Sequence, residues 1–316
     1  MKCGIVYDST FEEHQTGFSH PEQSKRASFI FKKIKNAGLL EHTQNIPVQE
    51  CTLQDLRLAH DLDYLLSSKK EIEGGSTTLS TGDTAICKET WKVASLATGG
   101  IINAVNHVVS GKVNNAFCIT RPPGHHANSN KGMGFCLFNH VAIAARYAQE
   151  KLGIGKILIV DWDVHHGNGT QDIFYEDDSV FFFSTHQAPW YPGTGSRTET
   201  GKGIGLGYNL NCPFSAGAGK KEIIDHAFGT ELTRKMINFK PELVIISAGF
   251  DSRINDPLGQ FQLYDQDFYE LTKIILDIAK EYANERVISL LEGGYNLEGL
   301  ASASISHLQA FLPKDE

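Results

Sequence analysis

The chain has 316 residues, 41% of them hydrophobic, and 29 Lys and Arg against 37 Asp and Glu give it a formal net charge of −8. This length can bury one large core and no compositional break marks a linker, so we expect a single domain over residues 1–316. The acidic balance without a basic cluster argues against nucleic-acid binding, and no apolar run approaches the ~20 residues of a membrane span.

The cysteine pattern indicates a reducing compartment. Six cysteines are scattered without a CxxC pair, and several lie within apolar runs. Such a pattern is typical of reduced core cysteines in a cytosolic protein. The first apolar stretch is broken by Asp8, too soon for a signal peptide. We therefore expect a cytoplasmic protein.

Short apolar runs alternate with longer helical patterns along the chain. The predicted strands cover residues 3–7, 116–119, 157–160, 180–184, 243–248 and 287–291. The predicted helices cover residues 24–37, 90–109, 138–151, 220–238, 265–283 and 297–311. This alternation predicts an α/β fold with a central parallel sheet flanked by helices on both faces.

Five predicted strands are followed directly by polar or titratable residues. In open α/β folds the site lies beyond the carboxyl ends of the strands. The five strand ends are followed by Arg121-Pro-Pro-Gly-His125-His126, by Asp161-Trp-Asp163-Val-His165-His166, by Thr185-His186, by Gly249-Phe-Asp251, and by Glu292-Gly-Gly-Tyr295. One or two such strand ends could arise by chance, whereas five indicate a built site.

Carboxylates and an imidazole alternate after the strand at 157–160. In an extended backbone Asp161, Asp163 and His165 face the same side, and such groups repel or desolvate one another unless a cation lies among them. Three protein ligands are typical of a metal site that keeps a position open for water. Asp163, His165 and Asp251 could form that set and suit Zn(II), Fe(II) or Mn(II). Taken alone, Asp251 could equally be a helix N-cap or turn residue.

The tandem His125-His126 and Tyr295 are candidates for the chemistry. Adjacent imidazoles near a metal offer a general base and a proton donor, although a histidine pair in a loop is usually solvated. Asp161 and Asn168 could orient them, and an Asp partner would keep its histidine cationic more readily than an Asn would. Which histidine is the base stays open. Tyr295 after two glycines could donate to an oxyanion or could be an ordinary turn aromatic.

These motifs, in this order, resemble those of the zinc-dependent histone deacetylase superfamily, and the class II type most closely. The similarity extends from the first predicted strand to the last predicted helix. It includes HPEQSKR at 20–26, RPPGHHA at 121–127, GFCLFN at 134–139, VDWDVHHGNGTQ at 160–171, YPGTG at 191–195, SAGFD at 247–251, DPLG at 256–259 and EGGY at 292–295. The resemblance implies the arginase/deacetylase α/β fold.

The resemblance also implies a role for each residue of the centre. One Zn²⁺ per chain, with Fe²⁺ as a possible replacement, would be held by Asp163, His165 and Asp251. His126 would be the general base and acid, His125 its electrostatic partner, and Tyr295 the stabiliser of the intermediate. Asp161 would pair with His125 and Asn168 with His126. Asn168 stands where class I relatives carry Asp.

Further residues are implied at the channel and at a second cation. The acyl-lysine stem would pass Gly134, Phe135 and Tyr191, and Asp83 would bind the substrate backbone at the rim. Tyr191 stands where the family commonly has Phe. A structural K⁺ would be held by Asp161, Ser184 and main-chain oxygens of Asp163, His165 and Thr185.

The substrate implied is an acetylated (acylated) lysine in a protein or peptide. Acetylpolyamine deacetylases of the superfamily that are related to class IIb carry a Glu gatekeeper after the Asp-Pro of the Asp251 loop, and here that position is Leu258. A leucine favours a neutral alkyl stem over a second ammonium. An acetylated small amine is therefore the second interpretation, and a non-catalytic acyl-lysine-binding module or an arginase-like binuclear manganese enzyme is less favoured.

Overall fold

The protein is described by a computed structural model covering residues 2–313. A single sheet of eight strands runs through it, and every pair of neighbouring strands is parallel. The strands are β1 (Cys3–Val6), β2 (Thr43–Asn45), β3 (Asn115–Cys118), β4 (Ile157–Asp161), β5 (Val180–Gln187), β6 (Asn209–Phe214), β7 (Leu243–Ala248) and β8 (Val287–Leu291). Their order across the sheet is β2-β1-β3-β8-β7-β4-β5-β6.

Helices cover both faces of this sheet. They are α1 (Arg26–Asn36), α2 (Leu53–Leu56), α3 (Leu62–Glu73), α4 (Thr90–Val109), α5 (His140–Leu152), α6 (Asn168–Phe174), a π-helix (Lys221–Leu232) continued by α7 (Thr233–Phe239), α8 (Asp265–Tyr282) and α9 (Leu297–Phe311). Short 3₁₀ turns lie at Ser9–Glu13, Leu39–His42 and Gly203–Gly205. None of the helices in residues 2–313 combines the length and apolar character needed to cross a membrane.

Strand β4 shows why both faces are covered. Leu158 and Val160 point into one apolar core, with side chains of α1, α8 and α9, whereas Ile157 and Ile159 point into the other, with side chains of α4 and α5. Alternate residues of a strand face opposite sides of its sheet. A continuous apolar run therefore needs a helical layer on each side, as the sequence predicts.

The sequence patterns predicted the buried strands and the long helices, but not the two edge strands of the sheet or the short helices. The bounds of β7, β8, α4 and α9 are those predicted, and the other predicted elements shift by one to three residues at an end. Strand β2 is short and polar, and β6 contains Pro213, so neither carries an apolar strand signal. Helices α2 and α6 are too short to show a periodic apolar pattern. Helix α3 has an amphipathic pattern in its sequence but was not predicted.

The helix predicted over 220–238 contains an unexpected irregularity. Its first part, Lys221–Leu232, is a π-helix, and only Thr233–Phe239 is α-helical. The Thr230 hydroxyl donates to the Asp225 carbonyl five residues earlier (3.0 Å), which matches the wider π spacing.

The strands followed by polar motifs are neighbours in the sheet. They form the continuous block β3-β8-β7-β4-β5. Because all strands are parallel, their carboxyl ends meet at one edge. The sheet order therefore gathers five distant segments of sequence into one place.

Candidate active site

Three potential metal ligands meet beyond strands β4 and β7. Asp163 and His165 follow β4, and Asp251 follows β7, its hydrogen-bonded neighbour. His165 Nδ1 lies 2.9 Å from Asp163 Oδ1 and 3.2 Å from Asp251 Oδ2. One ligand atom from each residue lies within 4.8 Å of the other two, and all three residues are buried. Asp251 lies well before the next helix, which begins at Asp265, so it is not an N-cap.

The donor set fits a small divalent cation. Donors placed 2.0–2.2 Å from one tetrahedral centre lie roughly 3.3 Å apart, close to the distances between His165 and the two carboxylates. Asp251 Oδ1 accepts from Val164 N (2.9 Å), whereas its buried Oδ2 has no hydrogen-bond partner among the described residues. A Cβ atom at Gly293 would collide with the carboxylates of Asp251 and Asp163, so glycine leaves their oxygens accessible.

The electrostatics of these groups are those of a cation site. Burial and the neighbouring Asp163 carboxylate raise the pKa of Asp251 to about 7. Burial alone would lower the pKa of His165, but the hydrogen bond to Asp163 and the adjacent Asp251 carboxylate raise it to about 10. Two buried carboxylates therefore favour positive charge on their common side, and a bound cation would supply it.

The histidine pair lies beside this centre with two different partners. His125 Nδ1 donates to Asp161 Oδ2 (2.9 Å), and His126 Nδ1 donates to Asn168 Oδ1 (2.8 Å). The ring centroids are 4.0 Å apart. Because an amide oxygen only accepts, His126 carries its proton on Nδ1 and has a free lone pair on Nε2.

Because their hydrogen-bond partners differ, the pKa values of the two histidines shift in opposite directions. Burial would lower the pKa of His125, but Asp161, Asp163 and Glu292 raise it well above its usual value. Burial and the neighbouring cationic imidazoles hold the pKa of His126 well below its usual value. At neutral pH this arrangement holds His125 protonated and His126 neutral.

Tyr295 faces the same centre from strand β8. It follows Gly293 and Gly294, and it is 8% exposed. Burial and the Asp251 carboxylate raise the pKa of its phenol well above the usual value, so it remains a donor. Arg26 holds the preceding turn, donating from Nε to the Gly294 carbonyl (2.7 Å), and its guanidinium lies 5.0 Å from the Tyr295 ring centroid.

A narrow channel of about 250 Å³ leads from the surface to these groups. Its lining contains the predicted residues Asp83, His126, Gly134, Phe135, His165, Tyr191, Leu258 and Tyr295, together with Trp190. Gly134 has a φ of +57°, and a Cβ atom there would collide with the His126 ring. Glycine at 134 therefore lets the channel wall approach the histidine closely.

The mouth of the channel is held by three hydrogen bonds between loops. Asp83 Oδ1 accepts from Gly134 N (2.6 Å) and, at 3.5 Å, from the Tyr191 hydroxyl. The Trp190 indole donates to the Leu258 carbonyl (2.8 Å). The sequence interpretation missed Trp190, although it directly precedes Tyr191 and an aromatic pair is a readable signal for a channel wall.

The predicted potassium site is represented by two side chains on adjacent strands. Asp161 is the register partner of Ser184. Ser184 Oγ lies 2.9 Å from His186 Nδ1, and His186 Nε2 donates to the Gly195 carbonyl (2.9 Å). His186 Nδ1 therefore accepts the Ser184 proton, which leaves lone pairs of that oxygen available. The K⁺ itself, and the main-chain ligands at Asp163, His165 and Thr185, stay predictions.

The family follows from a match over most of the chain. The family model of the histone deacetylase domain matches residues 20–311. The chain belongs to the histone deacetylase family. This confirms the resemblance and the α/β fold predicted from the motifs. Membership, together with relatives named as deacetylases, makes the chain a hydrolase that acts on amides.

Relatives in this family are similar over nearly the whole chain. A probable deacetylase of Archaeoglobus fulgidus is 36% identical over 305 residues, covering 95% of this chain and 83% of that protein. Histone deacetylase 10, chloroplastic, of rice is 38% identical over 310 residues, covering 93% and 70%. The crystal structure of the HDA15 HD domain has a TM-score of 0.92 at 34% identity and covers 99% of this chain and 89% of that one.

Proposed function

We propose that this histone deacetylase family member is a zinc-dependent hydrolase that removes acetyl groups from the ε-amine of lysine in peptides or proteins. One observation carries the proposal. A neutral imidazole with a free Nε2 lies beside three converging metal ligands at the end of a narrow, largely apolar channel. This combination suits the attack of water on an amide at the end of an alkyl stem.

Asp163, His165 and Asp251 would hold the ion. A Zn²⁺ ion bound there would lower the pKa of a water molecule from 15.7 to about 7 and polarise the substrate carbonyl. Asp251 Oδ2 supports this assignment. Among the described residues it forms no hydrogen bond and contacts only His165 Nδ1 at 3.2 Å, and such a buried carboxylate oxygen is costly unless a cation is bound.

His126 would accept the proton of the attacking water at Nε2. Asn168 Oδ1 holds the Nδ1–H, which orients the ring without adding a negative charge. The low pKa of His126 keeps Nε2 available as a base at neutral pH. The same nitrogen, once protonated, can deliver that proton to the leaving amine.

Tyr295 would donate to the oxygen that becomes negative during attack. Its phenol is protonated, buried and directed to the channel from the strand next to the Asp251 strand. One such donor is typically worth ~10²–10³ in rate. His125, kept cationic by Asp161, adds positive charge on the same side, and the products are acetate and the free amine.

The channel walls favour a neutral alkyl stem. Phe135, Tyr191 and Leu258 line it, and Asp83 is the only carboxylate at its mouth among the described lining residues. A second ammonium of a polyamine would meet Leu258 rather than a carboxylate. An acetylated small amine is therefore the second candidate substrate, favoured only by the charge of Asp83.

Turnover by the purified protein tests the proposal directly. We expect Zn²⁺ to co-purify at one ion per chain, acetate release from an acetyl-lysine peptide to require it, and kcat/KM for that peptide to exceed that for N-acetylated polyamines. Two ions per chain, or full activity after chelation, would contradict the metal assignment. A strong preference for the polyamine would contradict the substrate.

A further inference from the structure

We propose that the Glu292 carboxylate is a positioning residue for the histidine pair, acting through the main-chain N–H groups of Gly124 and His125. Its effect on turnover rests on the proposed function, in which His125 and His126 handle the protons. Its effect on geometry does not depend on that function, so the two can be tested separately.

The contact is made by one buried oxygen. Glu292 is the first residue after β8 and is 1% exposed. Its Oε2 accepts from Gly124 N (2.6 Å) and from His125 N (3.1 Å). Its Oε1 accepts from the Ser247 hydroxyl (3.1 Å). Among residues 2–313 these two main-chain N–H groups have no other hydrogen-bond partner.

This contact sets where both imidazoles lie. The turn is tightly enclosed, because a Cβ atom at Gly124 would collide with main-chain atoms of Phe138 and His140. Without an acceptor, two buried N–H groups would be left unsatisfied, which is unfavourable, and the turn would move to find one. A shift of about 1 Å is enough to lower a rate ~10²-fold.

The strand end that carries Glu292 is anchored independently of its side chain. Glu292 N donates to the Ala248 carbonyl (3.0 Å), and Arg26 Nη2 donates to the Glu292 carbonyl (2.6 Å). Arg26 also holds Gly294. Loss of the carboxylate should therefore leave the turn before Tyr295 in place and affect the histidine turn selectively.

The contact requires an acceptor oxygen at the correct reach rather than a negative charge. Gln at 292 keeps such an oxygen, and its amide group can donate to Ser247. Asp is one methylene shorter, and Ala has no acceptor. We therefore expect kcat to be highest with Glu at position 292 and to decrease in the order Gln, Asp, Ala.

Steady-state kinetics on an acetyl-lysine peptide measure this order. For Glu292→Ala we expect kcat to fall at least 100-fold with KM within threefold and zinc content unchanged. Glu292→Gln should stay within tenfold of the wild-type kcat. Ser247→Ala is the matched control, because it removes only the Oε1 contact, and should stay within threefold.

Several outcomes would overturn the positioning role. The first is a Glu292→Ala variant that keeps more than a tenth of the wild-type kcat. The second is a Glu292→Gln variant whose kcat is as low as that of Glu292→Ala. The third is a decrease in kcat in Ser247→Ala as large as the decrease in Glu292→Ala. If Glu292→Ala does not fold, Asp is compared with Gln, and equal kcat values overturn the proposal.

Crystal structures of Glu292→Ala (or Glu292→Asp) and of Glu292→Gln test the geometry independently of activity. An inactive wild type would refute the proposed function but would leave this structural test valid. The hydrogen bond between His126 Nδ1 and Asn168 Oδ1 should be broken in the former and kept in the latter. An unchanged bond in both would overturn the role of Glu292.

Discussion

His126 and Asn168 are joined by a 2.8 Å hydrogen bond in which the imidazole Nδ1 donates to the amide oxygen. An amide orients the ring without charging it, whereas His125 is bonded to the carboxylate of Asp161. The two adjacent histidines are therefore chemically different because their partners differ. This relationship makes His126 the base in the proposed mechanism.

Replacing the amide by a carboxylate should move the pH dependence. In Asn168→Asp a negative charge next to Nδ1 raises the pKa of His126, by about one to three units for a close opposite charge. Because only neutral His126 can act as a base, the acidic limb of kcat/KM should move to higher pH by at least one unit. A pH profile between 5 and 9 checks this. Asn238→Asp, exposed on α7, is the charge-matched control, and an unshifted acidic limb in Asn168→Asp would remove His126 from the role of base.

Removing the phenol hydroxyl should impair chemistry without loss of metal. For Tyr295→Phe we expect kcat to fall ~10²–10³-fold, as for other single oxyanion donors, with the zinc content of the wild type. Stopped assays of acetate release and metal analysis measure the two quantities. Tyr269→Phe, on α8 outside the channel lining, should have no effect. Unchanged turnover in Tyr295→Phe would exclude this tyrosine from the mechanism.

The rim contacts should affect substrate binding more than chemistry. Asp83→Ala removes the 2.6 Å hydrogen bond to Gly134 N, whereas Tyr191→Phe removes only the longer contact at 3.5 Å. We expect KM for an acetyl-lysine peptide to rise about tenfold in Asp83→Ala and no more than about threefold in Tyr191→Phe, since a short hydrogen bond to a charged group contributes about 1.5–3 kcal/mol and a contact at 3.5 Å is much weaker. A larger increase in KM in Tyr191→Phe than in Asp83→Ala would show that the contact of Asp83 with Tyr191, rather than its contact with Gly134, matters for substrate binding.

A carboxylate at the mouth should change the preferred substrate. Leu258 lines the channel, so Leu258→Glu places a negative charge where a polyamine ammonium would lie. An exposed ion pair contributes up to about 1 kcal/mol, so the ratio of kcat/KM for N-acetylated polyamine to that for acetyl-lysine peptide should rise by up to about fivefold. Leu258→Gln provides the uncharged control of similar size. Equal ratios in both variants would indicate that charge at this position does not select the substrate.

A buried histidine outside the channel lining should make stability depend on pH. His307 contacts Thr272 (2.6 Å) and Ser289 (2.8 Å), and burial lowers its pKa from 6.5 to about 3. Between pH 3 and pH 6.5 the imidazole of His307 is protonated in the unfolded chain but neutral in the folded protein. The free energy of unfolding is therefore unaffected by this histidine above pH 6.5 and decreases as the pH falls from 6.5 toward 3. At pH 5 the loss is about 2 kcal/mol.

Denaturant unfolding at pH 7 and pH 5 measures this loss at equal metal loading. In His307→Gln the decrease in unfolding free energy between these pH values should be smaller by about 2 kcal/mol than in the wild type. His42→Gln, at an exposed position, should keep the wild-type decrease. A His307→Gln variant with the full wild-type decrease would contradict the assignment of a buried neutral imidazole.

Local pattern was enough to predict the sheet, the helical layers and the three residues, Asp163, His165 and Asp251, that converge as candidate metal ligands. The apolar run before Asp161 and the alternation of Asp163 and His165 are short-range signals, since burial on both faces requires a continuous apolar strand. Polar residues after five such runs indicated the edge where the site lies. Edge strands such as β6 lack this apolar signal, which is why they were missed.

Pairings between distant residues were decided only by the tertiary structure. The partner of His126 depends on where α6 begins, the role of Glu292 depends on β8 lying between β3 and β7, and Trp190 reaches Leu258 across two loops. Each pairing joins segments that are distant in sequence, and a hydrogen bond depends on distances of a few tenths of an ångström. Composition and periodicity identify the chemical groups, but sheet order and packing determine which of them are in contact.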